Sequence, residues 1–176
     1  IRDERDARLP DLARQVLQVL AVQIEQLEAA IAALEKQLMG WHKSNPVSQR
    51  LATIPGIGPI IATAIAAMVA EPSGFRSGRE FAAWLGLVPR QNSTGGKNRL
   101  GGISKRGNQY LRRLLINGAS ANLLRSKATN ADPWVIGLRR RRRSLLVAVA
   151  LVNKTARIAW AVMQRQENYR RVAAGA

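Results

Sequence analysis

One spacing pattern limits the fold of this chain more than any other feature. Ala13, Leu17, Leu20, Ile24, Leu27, Ile31, Leu34 and Leu38 follow one another at alternating steps of three and four residues. Such steps return to the same side of an α-helix, and sustained over heptads they build a coiled-coil seam. Pro10 suits the first turn of this helix and Gly40 its stop. Residues 1–40 are therefore expected to form a coiled-coil helix, with a short linker over 41–47. A long amphipathic helix laid on its own domain is the other packing open to the pattern. The coiled coil is preferred because the helix runs about four heptads beyond its last globular contact. Its role would be dimerisation or antiparallel docking rather than chemistry.

The remainder also reads as helical. Ala, Leu, Ile and Val do most of the apolar work and alternating β-branched runs are few, so the expected fold class is all-α. In Leu51–Ala70, LATIPGIGPIIATAIAAMVA, a short helix should end at Ile54, turn through Pro55-Gly56-Ile57-Gly58 and restart at Pro59. This is the helix-hairpin-helix pattern, in which a Gly-hydrophobic-Gly turn offers amides to a DNA phosphate through Gly56 and Gly58. A purely structural αα-hairpin is the plainer alternative. Ser77-Gly78-Arg79-Glu80 has capping-box spacing and should open a helix through Leu85, with Phe75, Phe81 and Trp84 in the core. A helix over about Gly107–Leu124 should turn Arg112 and Arg113 away from its apolar face. Asp132-Pro133 reads as a helix start. Arg139–Arg143, five consecutive arginines, would point all round a helix, so some must meet a partner or the few acids. A last helix runs from Ser144 to about Gln166, and 171–176 are expected to form a disordered tail.

Charge narrows the partner. The formal net charge is +17, and it is unevenly placed: residues 1–40 hold seven acids and five bases, the rest four acids and twenty-three bases. So positive a surface repels itself and attracts a polyanion. Nucleic acid is the expected partner of the domain over 48–170, ahead of a membrane surface or a ribosomal-type structural role. Cysteine is absent, which removes disulfides, a thiolate nucleophile and cysteine-ligated metal. No window reaches eighteen uncharged apolar residues and the amino end is too polar for a signal peptide. A cytoplasmic, nucleoid-associated protein with no membrane partner is expected. The start at Ile1 rather than Met suggests a fragment.

The stretch Pro89–Arg113, PRQNSTGGKNRLGGISKRGNQYLRR, concentrates glycines and cations and contains no carboxylate. Arg90, Lys97, Arg99, Lys105, Arg106, Arg112 and Arg113 supply charge, and Ser93, Thr94 and Ser104 supply hydroxyls. Glycine permits close approach of backbone to a ligand, and exposed amides beside cations suit phosphate. A glycine-rich basic loop over 89–107 is expected. It reads either as a flexible basic surface loop or as a phosphodiester site with Ser93 in it.

Other chemistries fit poorly. A serine hydrolase needs a histidine base, and the single histidine, His42, is far from the loop in sequence. A two-metal nuclease needs clustered carboxylates, and the four acids after residue 40 are scattered. Gly96-Lys97-Asn98 lacks the spacing and hydroxyl of a phosphate-binding Walker loop. A serine attacking a phosphodiester among arginines, with Arg139 and Arg140 as further nucleic-acid contacts, is the remaining catalytic option.

Three segments together, IPGIGPIIATAI, FRSGREFAAWLGLVPRQNSTGGK and RLGGISKRGNQYLRRLL, resemble the carboxy-terminal half of insertion-sequence transposases of the "one-ten" type. The resemblance covers about Leu51–Ala161, and the heptad helix resembles that family's connecting coiled coil. It implies a DNA recombinase in two parts: an amino-terminal RNase-H-like domain with acidic metal ligands, and a carboxy-terminal domain carrying a nucleophilic serine. It also implies action as an oligomer with a guide RNA that selects target and donor DNA. The serine falls in Asn92-Ser93-Thr94-Gly95-Gly96. Many relatives read Ser-Ser-Gly there, and Thr94 stands where the second serine would, which makes Ser93 the expected nucleophile. No cofactor is expected in this part, since a divalent metal such as Mg belongs to the absent amino-terminal domain. A non-catalytic helix-hairpin-helix module binding DNA or RNA is the alternative function.

Overall fold

The computed structural model describes residues 10–92, 99–125 and 132–170. The chain divides into two units, Ile1–Trp41 and His42–Ala176. The first is built on α1 (Asp11–Ser44), whose end reaches into the second. Asp11 in its first turn and Lys43 in its last complement the helix dipole. No residue of α1 is buried. Leu20, Ile24, Leu27, Ile31 and Leu34 of the heptad are 47–64% exposed.

Gly40 does not stop this helix. Glycine costs a helix interior only about 1 kcal/mol, and nothing lies within 4 Å of where its Cβ would be. The stop comes at Asn45, because Pro46 disfavours helical backbone in the residue before it. The expected linker over 41–47 is thereby reduced to this residue, which caps α2 (Pro46–Ala52) by accepting the Ser48 amide at 2.8 Å.

In the second unit α3 (Pro59–Met68) follows, then a 3-10 turn (Pro72–Gly74), α4 (Gly78–Trp84), strands β1 (Pro89–Gln91) and β2 (Leu100–Ile103), α5 (Gln109–Arg125), α6 (Pro133–Arg139) and α7 (Ser144–Arg165). The helix α7 packs against α2, α4, α5 and α6, and α3 against α2 and α5. Its inward face (Val152, Ala156, Ala159, Val162, Met163) meets Leu51, Ile54, Phe81, Leu85, Leu111 and Leu115. Ala156 and Ala159 are fully buried, and their small side chains let the neighbouring helices come close. Val147 and Ala148, one turn into α7, close a smaller cluster with Leu123 and Val135. Burying a side chain such as Phe81, which is fully buried, contributes about 2–3 kcal/mol. By length and composition α1 and α7 could each cross a membrane; 39% of the apolar window of α7 is buried within its unit and none of that of α1.

Local signals placed the helix ends. Ser77 caps α4 by accepting the Glu80 amide, while Glu80 reaches back to the Arg76 amide at 2.7 Å. Asp132 caps α6 by accepting the Trp134 amide at 2.9 Å. Phe75, Phe81 and Trp84 form one ring cluster with centroids 5.2–5.7 Å apart. The fold is mostly all-α, with one exception the sequence did not predict: β1 and β2 pair antiparallel, Pro89 opposite Ile103 and Gln91 opposite Leu100, with an irregularity between. The arginine run also differs from expectation. Arg140 is the cap residue ending α6 and Arg143 precedes α7, so the run turns a corner instead of circling a helix.

Candidate nucleic-acid interface

The basic segment stands on a tightly knit root. The Lys105 amide donates to the Gly86 carbonyl at 3.1 Å, and the Asn108 amide to the Trp84 carbonyl at 3.3 Å. Gly107 sits between them at φ +104°, where a Cβ would lie 1.9 Å from the Trp84 carbonyl oxygen. Only glycine fits so close a crossing at positive φ. Asn108 then opens α5, its side-chain oxygen accepting the Leu111 amide at 2.9 Å.

Arg112 corrects the expectation that it faces outward. It is 7% exposed, and Nη1 donates to the Leu85 carbonyl at 2.9 Å. The physical reason is the end of α4, whose last carbonyls lack intrahelical partners. Arg112 supplies one, and its guanidinium is thereby taken from the exposed cations. Arg113, the next residue, is exposed.

From this root the ribbon extends. The Ser104 amide donates to the Val88 carbonyl and the Asn92 amide to the Arg99 carbonyl, both at 2.8 Å. Arg90 on β1 is exposed and donates to the Ser104 carbonyl at 3.2 Å. Arg99, Lys105 and Arg106 are exposed at either end of β2. In β2 itself, Gly102 has nothing within 4 Å of a built Cβ and no positive φ, so neither conformation nor packing requires glycine there. Ser93, Thr94 and Lys97, the expected nucleophile, its neighbour and one expected cation, lie outside the described residues, as does the tail over 171–176.

A second candidate surface surrounds the turn between α2 and α3. The turn packs on α5 through a backbone contact: a Cβ on Gly118 would lie 2.4 Å from the Gly56 carbonyl oxygen. Gly56 itself has φ +88°, whereas Gly58 is extended, exposed and faces open space. Gly58 caps α3 without a side-chain hydrogen bond. A groove of about 470 Å³ runs between this turn and α5, with Asn117, Asn122 and Arg125 along its wall. Sequence reasoning missed those three. Their spacing along one face of α5 is visible in the sequence, but the turn they face is not.

The other expected residues lie apart from both surfaces in sequence. Arg139 and Arg140 are exposed at the corner between α6 and α7, and Arg139 Nη1 donates to the Leu123 carbonyl at 3.4 Å. His42 pairs its Nδ1 with Ser48 Oγ at 2.7 Å. Ser48 is fully buried, so this Ser–His pair is closed to substrate and braces the start of α2. Among the described residues no three His, Cys, Asp or Glu side chains come together. Glu71, fully exposed, has its carboxyl held below the usual carboxylate range by hydrogen bonds from the Ser73 hydroxyl and amide.

Residues 48–134, which include the α2–α3 turn, the ribbon and α5, match the model of the transposase IS116/IS110/IS902 family. The chain is 50% identical over 167 residues to a "Probable family 20 transposase" of Pseudomonas aeruginosa, covering 93% of this chain and 49% of that protein. It is 42% identical over 159 residues to the "Transposase for insertion sequence element IS1111A" of Coxiella burnetii, covering 89% and 44%. Over 134 residues it is 46% identical to the "Transposase for insertion sequence element IS1328" of Yersinia enterocolitica, covering 75% and 40%. The chain thus spans about half the length, or less, of these curated relatives.

Proposed function

For a chain that belongs to the IS116/IS110/IS902 transposase family, we propose the role of a DNA-recombining domain that grips the phosphodiester backbone and supplies Ser93 as nucleophile. One observation carries the reading. The carboxylate-free segment is divided into a packed root and an exposed ribbon, and Ser93 falls between the two strands of that ribbon in sequence. Arg90 and Arg99 on the ribbon, and Lys105 and Arg106 where it joins the root, are exposed cations.

In this reading the Ser93 oxygen attacks phosphorus and forms a Ser–O–P bond. The bond to the leaving deoxyribose oxygen breaks, and the serine proton passes to that oxygen or to solvent. The cations offset the charge that develops on the phosphoryl oxygens. Divalent metal belongs to an amino-terminal domain outside this chain, and a guide RNA chooses the DNA. The turn at Gly56–Gly58 is a second backbone clamp of helix-hairpin-helix type, and the uncovered heptad of α1 joins copies into an oligomer. Action on cellular DNA places the protein in the cytoplasm at the nucleoid.

The test uses a full-length transposase carrying this sequence as its carboxy-terminal half, with guide RNA and DNA. A protein–DNA adduct should be trapped and map to Ser93. Ser93→Ala should abolish strand exchange while DNA and RNA binding persist, because a lost hydroxyl removes hardly any charge contact. Thr94→Ala should be milder. If Thr94→Ala is the dead variant, the nucleophile is Thr94; if both recombine normally, the segment only clamps. That last outcome would leave the non-catalytic module, for which Gly58→Val is the clean probe. Its Cβ meets open space in the fold but would intrude on a bound phosphate.

A further inference from the structure

Away from the ribbon and the turn, an exposed tryptophan stands beside exposed cations. Trp134, in the first turn of α6, is 44% exposed. Its place is fixed by Asp132, which accepts its amide through one carboxylate oxygen. The other oxygen of Asp132 accepts Lys154 Nζ at 2.6 Å. That ammonium lies 5.1 Å from the centre of the Trp134 ring, within cation–π reach. One carboxylate thus sets both the start of α6 and the position of a cation against the indole.

Beside the ring opens a groove of about 580 Å³, within the size range of ligand sites. Ala150, Ile158 and Ala161 on α7 line it, with Lys154 and Arg157 as its cations. These positions recur at helical spacing, so they form one stripe on α7. Its two alanines leave room for a flat ring to approach the helix. An exposed indole, an apolar floor and a cationic rim together match a base and its phosphate. The surrounding domain is strongly positive, which complements a polyanion.

We infer that this groove takes an unpaired nucleotide of a DNA or RNA strand, with its base stacked on Trp134 and its phosphate at Lys154 and Arg157. The inference rests on the nucleic-acid reading above. A base inside a closed duplex offers no free face to the indole, whereas an unpaired base does, and such stacking tolerates any sequence. The groove is therefore a holder for displaced or flipped strand, distinct from backbone clamping of duplex.

The test measures binding by the 176-residue chain to a labelled single-stranded oligonucleotide, to the same sequence as a blunt duplex, and to the single strand with abasic sites. DNA and RNA versions are compared. Trp134→Ala should weaken single-strand binding on the order of tenfold and leave duplex binding unchanged, while Trp134→Phe retains most of the affinity. The abasic strand should bind wild type and Trp134→Ala alike. Ala161→Leu, which fills the groove without touching the cap of α6, should also weaken single-strand binding at unchanged melting temperature; this holds the test open if Trp134→Ala fails to fold. A response with either DNA or RNA supports the groove and names the strand. Equal loss on single strand and duplex, or no loss with either variant, overturns it. Wild type that binds neither form sinks the nucleic-acid reading as a whole, and the groove with it.

Discussion

The segment Ser104–Arg112 and the ribbon that precedes it are both rich in cations and glycine, and the fold uses them in opposite ways. In the root, Gly107 lets two backbones cross and Arg112 satisfies the Leu85 carbonyl from inside the core. In the ribbon, Arg90 and Arg99 are exposed, and Gly102 meets nothing. Composition treats these as one basic loop. Burial separates residues that hold the domain together from residues left open to solvent.

Four substitutions test that separation. The largest effect is expected from Gly107→Ala, which forces a Cβ against the Trp84 carbonyl at positive φ and should cost about 4 kcal/mol or prevent folding. Denaturant melts check it, and a stable Gly107→Ala variant would mean that the root is not rigid. Arg112→Met comes next. Leaving the Leu85 carbonyl without its donor should cost about 1–3 kcal/mol, while DNA affinity of the folded fraction stays at the wild-type value. An affinity loss without a stability loss would move Arg112 to the ribbon's class.

Arg99→Gln should do the reverse. Stability should change by no more than about 0.5 kcal/mol, and the dependence of log affinity on log salt should flatten by about one unit if a phosphate contact is lost. An unchanged slope would remove Arg99 from the interface. Gly102→Ala is expected to have the smallest effect: no measurable change in melting temperature, and a modest loss of DNA affinity if backbone approaches β2 closely. If both quantities stay at wild type, Gly102 is a spacer and the ribbon's contacts are made by side chains alone.

Much of the helical architecture was legible because its signals are local. Asp132 and Ser77 cap helices within three residues of themselves, and Pro59 opens α3 where the turn before it ends. Residues whose partners are distant could not be read. Arg112 finds its acceptor 27 residues away, so helical spacing alone could not show that it points inward. The ribbon escaped notice because Leu100-Gly-Gly-Ile has neither alternation nor a buried face. Gly40 misled because glycine only weakens a helix, and the true stop needed the Asn45-Pro46 pair. The heptad was visible at once, but the face it exposes carries no sign of what covers it. For the candidate site, the sequence marked one basic segment but could not divide it into a packed root and an exposed ribbon.

The ribbon has a consequence for how copies of the protein tolerate one another in solution. A sheet of two strands has no interior strand, and each strand keeps one open edge that can template pairing with another molecule. Pro89 blunts β1 at its first residue, having no N–H to offer. Arg90 and Arg99 would be brought against their own counterparts if two ribbons met edge to edge, and that repulsion reaches about 8 Å at physiological ionic strength. Concentrated salt shortens it, and neutralising both arginines removes it. Exposed charge of this kind opposes edge-to-edge pairing, so solubility should fall when Arg90 and Arg99 are replaced even where the fold remains intact.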